Sequence, residues 1–341
     1  MKNRCLYLLP SLTLELREEP VPVPADDQVL VRIAANGICG SDVHFYKEGK
    51  LGNFKVTQPY IPGHEASGTV AAAGKLVKHL KPGDRVVIEP GIPCGKCRQC
   101  KRGRYNLCPD VVFLSAPPVN GTFCDFIAVD ASFVYTVPQG LSFQHAALAE
   151  PTAVAVHAVN RSRMQPGDDG VIIGAGPIGL LTLQAFKAAG GGHCTVLDRM
   201  DARLEQAKAL GADRCIHTAN EPCDQPLGDV VFETAGSDAT TQMLFSLARV
   251  GAHCVQVGWP AHTQVPLDVA QLMEKEIDYM GLNRYANTFG TALQWLRDGR
   301  INAEAMISHR FDLDHATAAF AWAAEHPAET MKVIVTNDTL E

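Results

Sequence analysis

The chain has 341 residues, of which 46% are hydrophobic and 20% charged, and its formal net charge is −7. This composition indicates a globular, enzyme-like protein with room for two domains, and it excludes a disordered or fibrous chain. The acidic balance gives no electrostatic basis for binding nucleic acid or an anionic membrane.

Residues 1–20 contain neither a long apolar core nor a small-residue cleavage site, so no signal peptide is predicted. The most apolar run, residues 170–186, is interrupted by glycines and a proline and is too short to span a bilayer comfortably. Eleven cysteines, an odd number without other signs of secretion, fit a reducing compartment. We therefore expect a cytoplasmic protein.

The first part of the chain, residues 1–151, has the texture of a β-rich domain. Alternating apolar runs at 29–35 and 67–74 predict strands, and Pro-Gly pairs at 62–63, 82–83 and 90–91 predict the turns between them. Two segments of this domain, G-I-C-G-S-D-V-H (37–44) and P-G-H-E (62–65), carry side chains that can bind metal. Taken singly, such a cysteine or histidine is more often a core or surface residue than a ligand.

Four cysteines follow with the spacing C-x2-C-x2-C-x7-C: Cys94, Cys97, Cys100 and Cys108. Zinc binds four thiolates tetrahedrally, and one short loop can supply all of them. A disulfide cluster is disfavoured because nothing else indicates secretion. The basic residues within the loop are interpreted as a solvated rim. The spacing therefore predicts a structural zinc site.

The pattern changes near residue 152, where apolar strands begin to alternate with helical stretches. Strands are predicted at 170–176, 193–198, 229–236 and 253–258, and helices follow the first two. This βαβ order predicts a parallel sheet. Two further helices, at 288–298 and 316–325, and a closing strand at 332–337 complete the chain.

The first of these strands runs directly into Gly174-Ala175-Gly176-Pro177-Ile178-Gly179 and a helix. G-x-G-x-x-G alone is a weak signal, but here it lies between a strand and a helix, and Asp198 ends the next strand. Glycines let the backbone approach a pyrophosphate at the helix N-terminus. Asp198 would accept from the ribose hydroxyls and repel a 2′-phosphate, which favours NAD over NADP despite the neighbouring Arg199.

Together these motifs resemble the zinc-dependent medium-chain alcohol and polyol dehydrogenases, and most closely their sorbitol (polyol) branch. The resemblance extends over nearly the whole chain, through G-I-C-G-S-D-x-H, G-H-E-x-x-G, P-G-D-R-V, the four-cysteine loop, Glu150-Pro151 and G-A-G-P-I-G. It implies an α/β fold with a GroES-like β-rich catalytic domain (1–151 and 286–341) and a Rossmann cofactor domain with a doubly wound parallel sheet (152–285).

The resemblance also implies a catalytic zinc bound by Cys39, His64 and Glu65, with Glu150 as a direct ligand or linked through the zinc-bound water. Alcohol dehydrogenases have a cysteine where this chain has Glu150, which favours the polyol branch. Asp42 would orient His64. The zinc would lower the pKa of a substrate hydroxyl during hydride transfer. Ser41 and His44 would relay the proton, although Ser41 could instead cap the turn.

The segment 282–288 resembles the polyol-dehydrogenase sequence F-R-Y-x-N-T, which implies substrate contacts from Arg284 and Tyr285. Phe45 occupies a substrate position where sorbitol dehydrogenases commonly have tyrosine, so the polyol stays open. Glu150 is included in the predicted substrate site. The predicted cofactor contacts are Gly174, Gly176, Pro177, Ile178, Gly179, Asp198, Arg199, Arg203, Val257, Leu282 and Arg284.

The leading interpretation is an NAD-dependent zinc enzyme that oxidises a secondary alcohol of a polyol to a ketone. Sister-branch alternatives act on a polyol phosphate, an aldonate such as L-idonate, threonine or a simple secondary alcohol. A zinc-ribbon-like binding protein is disfavoured by the intact glycine motif. A non-catalytic nucleotide-binding relative is disfavoured because all the implied ligands are present. Resemblance to the family also suggests a homo-oligomer, a tetramer or dimer.

Overall fold

The computed structural model describes residues 2–223, 225–260, 262 and 264–337. The chain divides into two compact units, Met1–Glu150 with Ala303–Glu341, and Pro151–Asn302. The first predicted domain comprises 1–151 and 286–341, and its two terminal residues, 1 and 341, lie outside the described residues. Among the described residues, no helix is both long and apolar enough to cross a membrane.

The first unit begins with a series of strands and three short helices. The strands are β1 (Lys2–Leu8), β2 (Leu14–Pro20), β3 (Gln28–Ile38), β4 (Lys50–Leu51), β5 (Phe54–Lys55), β6 (Glu65–Ala73), β7 (Arg85–Ile88), β8 (Gly91–Ile92), β9 (Val112–Phe113), β10 (Phe126–Asp130) and β11 (Val134–Thr136). The helices are α1 (Gly40–Glu48), α2 (Arg98–Lys101) and α3 (Phe143–Ala147), and α4 (Ala149–Ser162) continues into the second unit.

In the second unit strands and helices alternate, as the sequence predicts. The elements are β12 (Gly170–Ile173), α5 (Pro177–Ala188), β13 (Cys194–Asp198), α6 (Asp201–Ala209), β14 (Arg214–His217), β15 (Gly228–Glu233), α7 (Asp238–Leu247), β16 (Ala248–Gln256), α8 (Val269–Glu274), β17 (Asp278–Gly281) and α9 (Phe289–Arg297). The chain then returns to the first unit with α10 (Ala303–Met306), β18 (Ile307–Asp312), α11 (Ala316–Glu325) and β19 (Lys332–Thr336).

A seven-stranded sheet organises the first unit, in the order β11-β7-β6-β3-β19-β18, with β10 also paired to β3. The pairs that β3 makes with β6, β10 and β19 are antiparallel. One apolar cluster includes Val31, Ile33 and Val86, and in another Phe123 packs against Phe320 of α11. The closing strand β19 therefore lies next to the long central strand β3, although almost the whole chain separates them in sequence.

The second unit is built on a six-stranded parallel sheet in the order β14-β13-β12-β15-β16-β17. Its central strands β12, β13 and β15 are almost fully buried, as expected when helices cover both faces. The order reverses between β12 and β15, and in such sheets a dinucleotide binds outside the carboxyl ends of the strands at this reversal. The predicted Rossmann architecture is therefore confirmed.

The segment 286–302 lies in the second unit, whereas the sequence analysis places it in the first. Helix α9 buries Phe289, Leu293 and Leu296. The residues that follow α9 bind α5: the Asn302 N–H donates to Gln184 Oε1 at 2.6 Å, and Arg300 donates to the Ala188 carbonyl. These contacts place the boundary at Ala303. The boundary at residue 286 was implied by the resemblance, whereas the boundary in the structure depends on tertiary contacts between the end of this segment and α5.

Candidate metal centres and cofactor site

The four-cysteine cluster is assembled by one loop between β8 and β9. The sulfur atoms of Cys94, Cys97, Cys100 and Cys108 all lie within 4.8 Å of one another. A tetrahedral zinc with Zn–S bonds of about 2.3 Å needs sulfurs about 3.8 Å apart, so the cluster fits a closed zinc site. All eleven cysteines lie among the described residues and are free thiols.

The loop also favours the thiolate form of one of these cysteines. Cys97 caps α2, and the N–H of Cys100 donates to Cys97 Sγ at 3.5 Å. This backbone hydrogen bond lowers the pKa of the Cys97 thiol to about 7. Because the thiolate is the form that binds zinc, the loop geometry prepares at least one ligand before metal arrives.

The second cluster is assembled from neighbouring strands of the seven-stranded sheet. Cys39 follows β3, His64 precedes β6, and Glu65 is the first residue of β6. One ligand atom from each of the three lies within 4.8 Å of the others. Glu65 pairs with Gly37 across the two strands, and a Cβ at residue 37 would lie 2.1 Å from Glu65 Oε2. Glycine at this position of the G-I-C-G motif therefore makes room for the carboxylate.

Helix α1 begins at this cluster and fixes its shape. Asp42 accepts a hydrogen bond from the Cys39 N–H at 3.0 Å, which closes the first turn of the helix. The other oxygen of Asp42 accepts from the Gly63 N–H at 3.2 Å and from the Ser115 hydroxyl at 2.9 Å. Asp42 thus connects the two segments that carry the cluster.

The orienting role predicted for Asp42 toward His64 takes a different form in the structure. The nearest approach, from His64 Nδ1 to Asp42 Oδ1, is 3.8 Å, which is an ion-pair distance and longer than a hydrogen bond. Asp42 holds the backbone N–H of Gly63, the residue before His64. Ser115 donates a hydrogen bond to Asp42 Oδ1, the oxygen that also accepts from Gly63. It is a buried residue with a φ of 68°, and it was not predicted because no motif around it signals this role.

The electrostatics of this cluster favour a cation. Burial alone lowers the pKa of His64, but the negative groups Asp42, Cys39 and Glu150 outweigh burial and raise this pKa well above its ordinary value. Glu65 Oε2 and His64 Nδ1 are buried polar atoms without a hydrogen bond. Buried polar atoms normally have a hydrogen-bond partner, so Glu65 Oε2 fits the role of a metal ligand. These residues fit a catalytic zinc.

Lys332 is the second residue that the sequence analysis missed at this cluster. It is 3% exposed, begins β19, and pairs through Nζ with Glu65 Oε1. Burial lowers the pKa of Lys332, whereas Glu65 and Cys39 raise it, and the net pKa lies above its ordinary value. A lysine at the start of the apolar run K-V-I-V-T was the available signal, but nothing local shows that β19 lies beside β3.

The remaining predicted residues of α1 lie on different faces of the helix. Asp42 and Phe45 are its buried residues, and Phe45 packs edge-on against Tyr60, with ring centroids 6.1 Å apart, in a cluster with Leu8 and Val56. Phe45 thus lies on the same buried face of α1 as Asp42, and its predicted substrate contact stays a prediction. His44 is exposed and lies 3.5 Å from Glu48 Oε1.

The other predicted substrate residues lie in two places. Glu150, which is 6% exposed, lies in the first turn of α4 in the first unit and acts electrostatically on His64 and Lys332. Arg284 and Tyr285 belong to the second unit. Arg284 has a φ of 54°, a strained conformation for a side chain of this size. Tyr285 is buried and packs against Phe289 with ring centroids 5.5 Å apart.

The predicted cofactor residues converge at the carboxyl edge of the parallel sheet. Gly174 to Gly179 connect β12 to α5, Asp198 ends β13, and Val257 follows β16. Asp198 accepts from the N–H groups of Ala175, Arg199 and Met200 at 2.7–3.0 Å. Arg203 lies beside the glycine loop, since a Cβ on Gly176 would be 3.9 Å from its Nη1. Leu282 follows β17, and Arg199 is exposed.

Comparison with known proteins agrees with this geometry. Residues 25–139 match the alcohol dehydrogenase GroES-like domain, and residues 177–298 match the zinc-binding dehydrogenase family. The sorbitol dehydrogenase of Bacillus subtilis is 40% identical over 333 residues, which cover 95% of this chain and 94% of that protein.

Solved structures give the same result. An Escherichia coli oxidoreductase of unknown specificity superposes with a TM-score of 0.94 at 34% identity, covering 99% of this chain and 100% of that chain. The L-idonate 5-dehydrogenase of E. coli gives 0.93 at 30% identity, covering 98% of each chain. The chain belongs to the zinc-dependent medium-chain dehydrogenase family and is an oxidoreductase whose cofactors are zinc and a nicotinamide dinucleotide.

Proposed function

We propose that this chain oxidises a secondary alcohol of a polyol to a ketone, with NAD as the hydride acceptor and zinc at the Cys39, His64 and Glu65 cluster. The observation that carries the proposal is a metal cluster of one cysteine, one histidine and one carboxylate, in a chain 40% identical to a sorbitol dehydrogenase. A carboxylate at residue 150, where alcohol dehydrogenases have a thiolate, makes the site harder and better suited to hydroxyl oxygens.

The residues of the chain divide the work of this reaction. When bound, zinc supplies a Lewis acid that lowers the pKa of a substrate hydroxyl, and NAD supplies the hydride acceptor. Cys39, His64 and Glu65 would hold the metal, with Glu150 as a further ligand or a hydrogen-bond acceptor beside it. Ser41 and His44, on the less buried side of α1, would carry the released proton toward solvent.

The remaining roles concern substrate and cofactor recognition. Arg284 offers five donors in a rigid fork, which suits the several hydroxyls of a polyol, and Tyr285 would contribute beside it. Gly174, Gly176 and Gly179 would admit the pyrophosphate, and Asp198 would face the adenosine ribose. The carboxylate of Asp198 supports a preference for NAD over NADP, because it would repel a 2′-phosphate.

NADH formation followed across a substrate panel tests the proposal. The panel contains sorbitol, xylitol, ribitol, galactitol, idonate, threonine and 2-propanol, each measured before and after chelation. We expect chelator-sensitive turnover of one polyol. Activity with threonine or 2-propanol alone would contradict the polyol assignment and the roles of Arg284 and Tyr285.

A matched pair of variants tests the role of Glu150. Glu150→Ala is expected to lose turnover while its affinity for NADH, measured by fluorescence, stays unchanged. Glu274→Ala, which removes an exposed carboxylate from the end of α8, is the control and is expected to lose far less turnover. Equal effects from the two variants would remove the argument for Glu150.

The second candidate substrate is an aldonate. Two observations favour it: the similarity to L-idonate 5-dehydrogenase, and the identity of Phe45, which lacks the tyrosine hydroxyl that sorbitol dehydrogenases commonly have at this position. Idonate in the panel separates this candidate from a neutral polyol, since the two differ by a carboxylate. Turnover of idonate with no neutral polyol active would select it.

A further inference from the structure

The carboxyl end of β15 carries two polar residues, Glu233 and Thr234, to which no role has been assigned. Strand β15 lies between β12 and β16, and the strand order reverses between β12 and β15. Glu233 is fully buried, and both residues contact the loops that follow the neighbouring strands. We propose that Glu233 and Thr234 are positioning residues that hold the glycine loop and the turn beside it in the shape that binds the dinucleotide.

Thr234 holds the glycine loop from the sheet side. Its hydroxyl is 2.9 Å from the carbonyl oxygens of both Ile173 and Gly174, and its N–H donates to the Ile173 carbonyl at 2.9 Å. Fixing these two carbonyls toward β15 orients the peptide groups at the start of the loop. The N–H groups that follow are those that a pyrophosphate would use at the N-terminus of α5.

The glycines of the motif are shaped around this contact. A Cβ on Gly179 would lie 2.8 Å from Thr234 Oγ1 and 1.8 Å from the Gly174 carbonyl oxygen. A Cβ on Gly174, whose φ is 100°, would lie 2.9 Å from the Cβ of Ala235. The close approach of 234–235 therefore adds to the reasons for glycine at residues 174 and 179, which are the positive φ of Gly174 and the contact of residue 179 with the Gly174 carbonyl.

Glu233 fixes the turn that follows Thr234. Its Oε1 accepts from the N–H groups of Ala235 and Gly236 at 2.9 and 2.8 Å, and its Oε2 accepts from Gln256 Nε2 at 2.7 Å. Gln256 Nε2 also donates to the Gly258 carbonyl at 2.9 Å. Through one buried carboxylate, the loops after β15 and β16 are held in a single arrangement next to Val257.

The contacts form one chain across the cofactor edge. Asp198 holds Ala175 from one side of the glycine loop, and Thr234 holds Gly174 from the other. Glu233 then connects Thr234 to the loop after β16. A loop clamped on both sides loses little conformational entropy when it binds a ligand, so the clamp is expected to contribute to dinucleotide affinity.

The first test uses Thr234→Val, Thr234→Ser and the control Thr182→Val. Thr182 is a buried threonine of α5 whose hydroxyl donates to the Ile178 carbonyl at 2.7 Å, so Thr182→Val removes a comparable hydrogen bond within α5 and none of the contacts made by Thr234, Glu233 or Asp198. NADH affinity is measured by fluorescence titration and stability by thermal melting. We expect Thr234→Val to weaken NADH binding about tenfold, the scale of a buried hydrogen bond left unmade.

Thr234→Ser keeps the hydroxyl and is expected to bind NADH within about twofold of the wild type, and so is Thr182→Val. Wild-type affinity in Thr234→Val would overturn the role of Thr234. Equal weakening in Thr182→Val would also overturn it, because the effect would then follow from general destabilisation.

The second test removes the Glu233–Gln256 contact. In Glu233→Gln an amide nitrogen would face the amide nitrogen of Gln256, so two donors meet and the contact is lost. The control is Glu89→Gln, which makes the same change at a buried glutamate of the first unit that accepts from two tyrosine hydroxyls. We expect NADH affinity to fall about tenfold in Glu233→Gln and to stay within about twofold of the wild type in Glu89→Gln. Undiminished affinity in Glu233→Gln, or equal weakening in Glu89→Gln, would overturn the role of Glu233.

Discussion

The four-cysteine cluster takes its ligands from residues 94–108, whereas the cluster of Cys39, His64 and Glu65 requires β3 and β6 to pair. The first cluster contains only sulfur, is held by its own loop, and has a Cys97 thiol with a lowered pKa. The second mixes sulfur, nitrogen and oxygen, and it includes a buried lysine from β19. Structural zinc sites are closed by four protein ligands, whereas catalytic zinc sites have three and keep one position open for water or substrate. The two clusters offer four and three ligands, respectively.

Removing one ligand of the assembled cluster should have the largest effect on activity. Cys39→Ser is expected to lower turnover by about 1,000-fold, since a metal contributes several kcal/mol to the transition state. Zinc content should fall by one ion per chain while NADH affinity is retained, and Cys124→Ser, which changes a buried cysteine outside both clusters, is the control. Full turnover in Cys39→Ser would place the catalytic metal elsewhere.

Lys332→Met should have the largest effect on stability. The substitution leaves the Glu65 carboxylate buried without its cation, which typically costs about 3–5 kcal/mol. Zinc would offset part of this loss, so the metal-free variant is expected to melt much lower than the zinc-loaded one. Lys187→Met, which removes a partly exposed partner of Asp213, should lose far less stability. If the variant lost the same stability with and without zinc, the effect of Lys332 on Glu65 would be independent of metal binding.

Cys100→Ser tests the closed cluster. Loss of its zinc should lower the melting temperature by roughly 5 °C and reduce zinc content by one ion per chain, because metal binding there stabilises the loop. Turnover at low temperature should change much less than in Cys39→Ser. If the two variants lost turnover equally, the division between a structural and a catalytic site would fail.

Asp198→Ala should change cofactor choice. Removing the carboxylate removes the repulsion of a 2′-phosphate, so the ratio of NADP to NAD use is expected to rise. The variant also frees the Ala175 N–H, so affinity for both cofactors should fall. The ratio of kcat/KM values measures the first effect, and an unchanged ratio would contradict the placement of Asp198 at the ribose.

The smallest expected effect concerns Glu89, which connects the cysteine loop to the sheet. Its carboxylate accepts from the hydroxyls of Tyr105, in the loop, and Tyr135, in β11. Burial raises the pKa of Glu89, while the two hydroxyls act in the opposite direction. A raised pKa means that the folded state binds the proton more tightly, so the stability from this proton is present below the unfolded pKa near 4.5 and is lost as the pH rises through the folded value.

Glu89→Gln should remove this pH dependence, because the amide does not titrate. The free energy of unfolding, measured by urea titration between pH 4 and pH 7, should therefore fall less with rising pH in the variant than in the wild type. Glu325→Gln, at an exposed position, is the control and should behave like the wild type. A parallel pH profile for the wild type and Glu89→Gln would show that Glu89 is not the source.

Prediction from the sequence succeeded where the signal is local. The helix at 316–325 matches α11, and the glycine motif lies between β12 and α5 as predicted. The four-cysteine spacing also sufficed, because a short loop determines the positions of its own side chains. The packing of Phe45 against Tyr60 was not predicted, because it joins α1 to a residue of the loop before β6.

The sequence by itself determined the cysteine loop, the parallel order of the second unit and the residues available to a metal and a dinucleotide. Only the tertiary structure decided that Lys332 pairs with Glu65, that Ser115 holds Asp42, and that Thr234 holds the glycine loop. The physical reason is the separation along the chain: Lys332 and Glu65 meet because β19 and β6 are both neighbours of β3. Such pairings depend on the register of whole strands, which no motif of a few residues specifies.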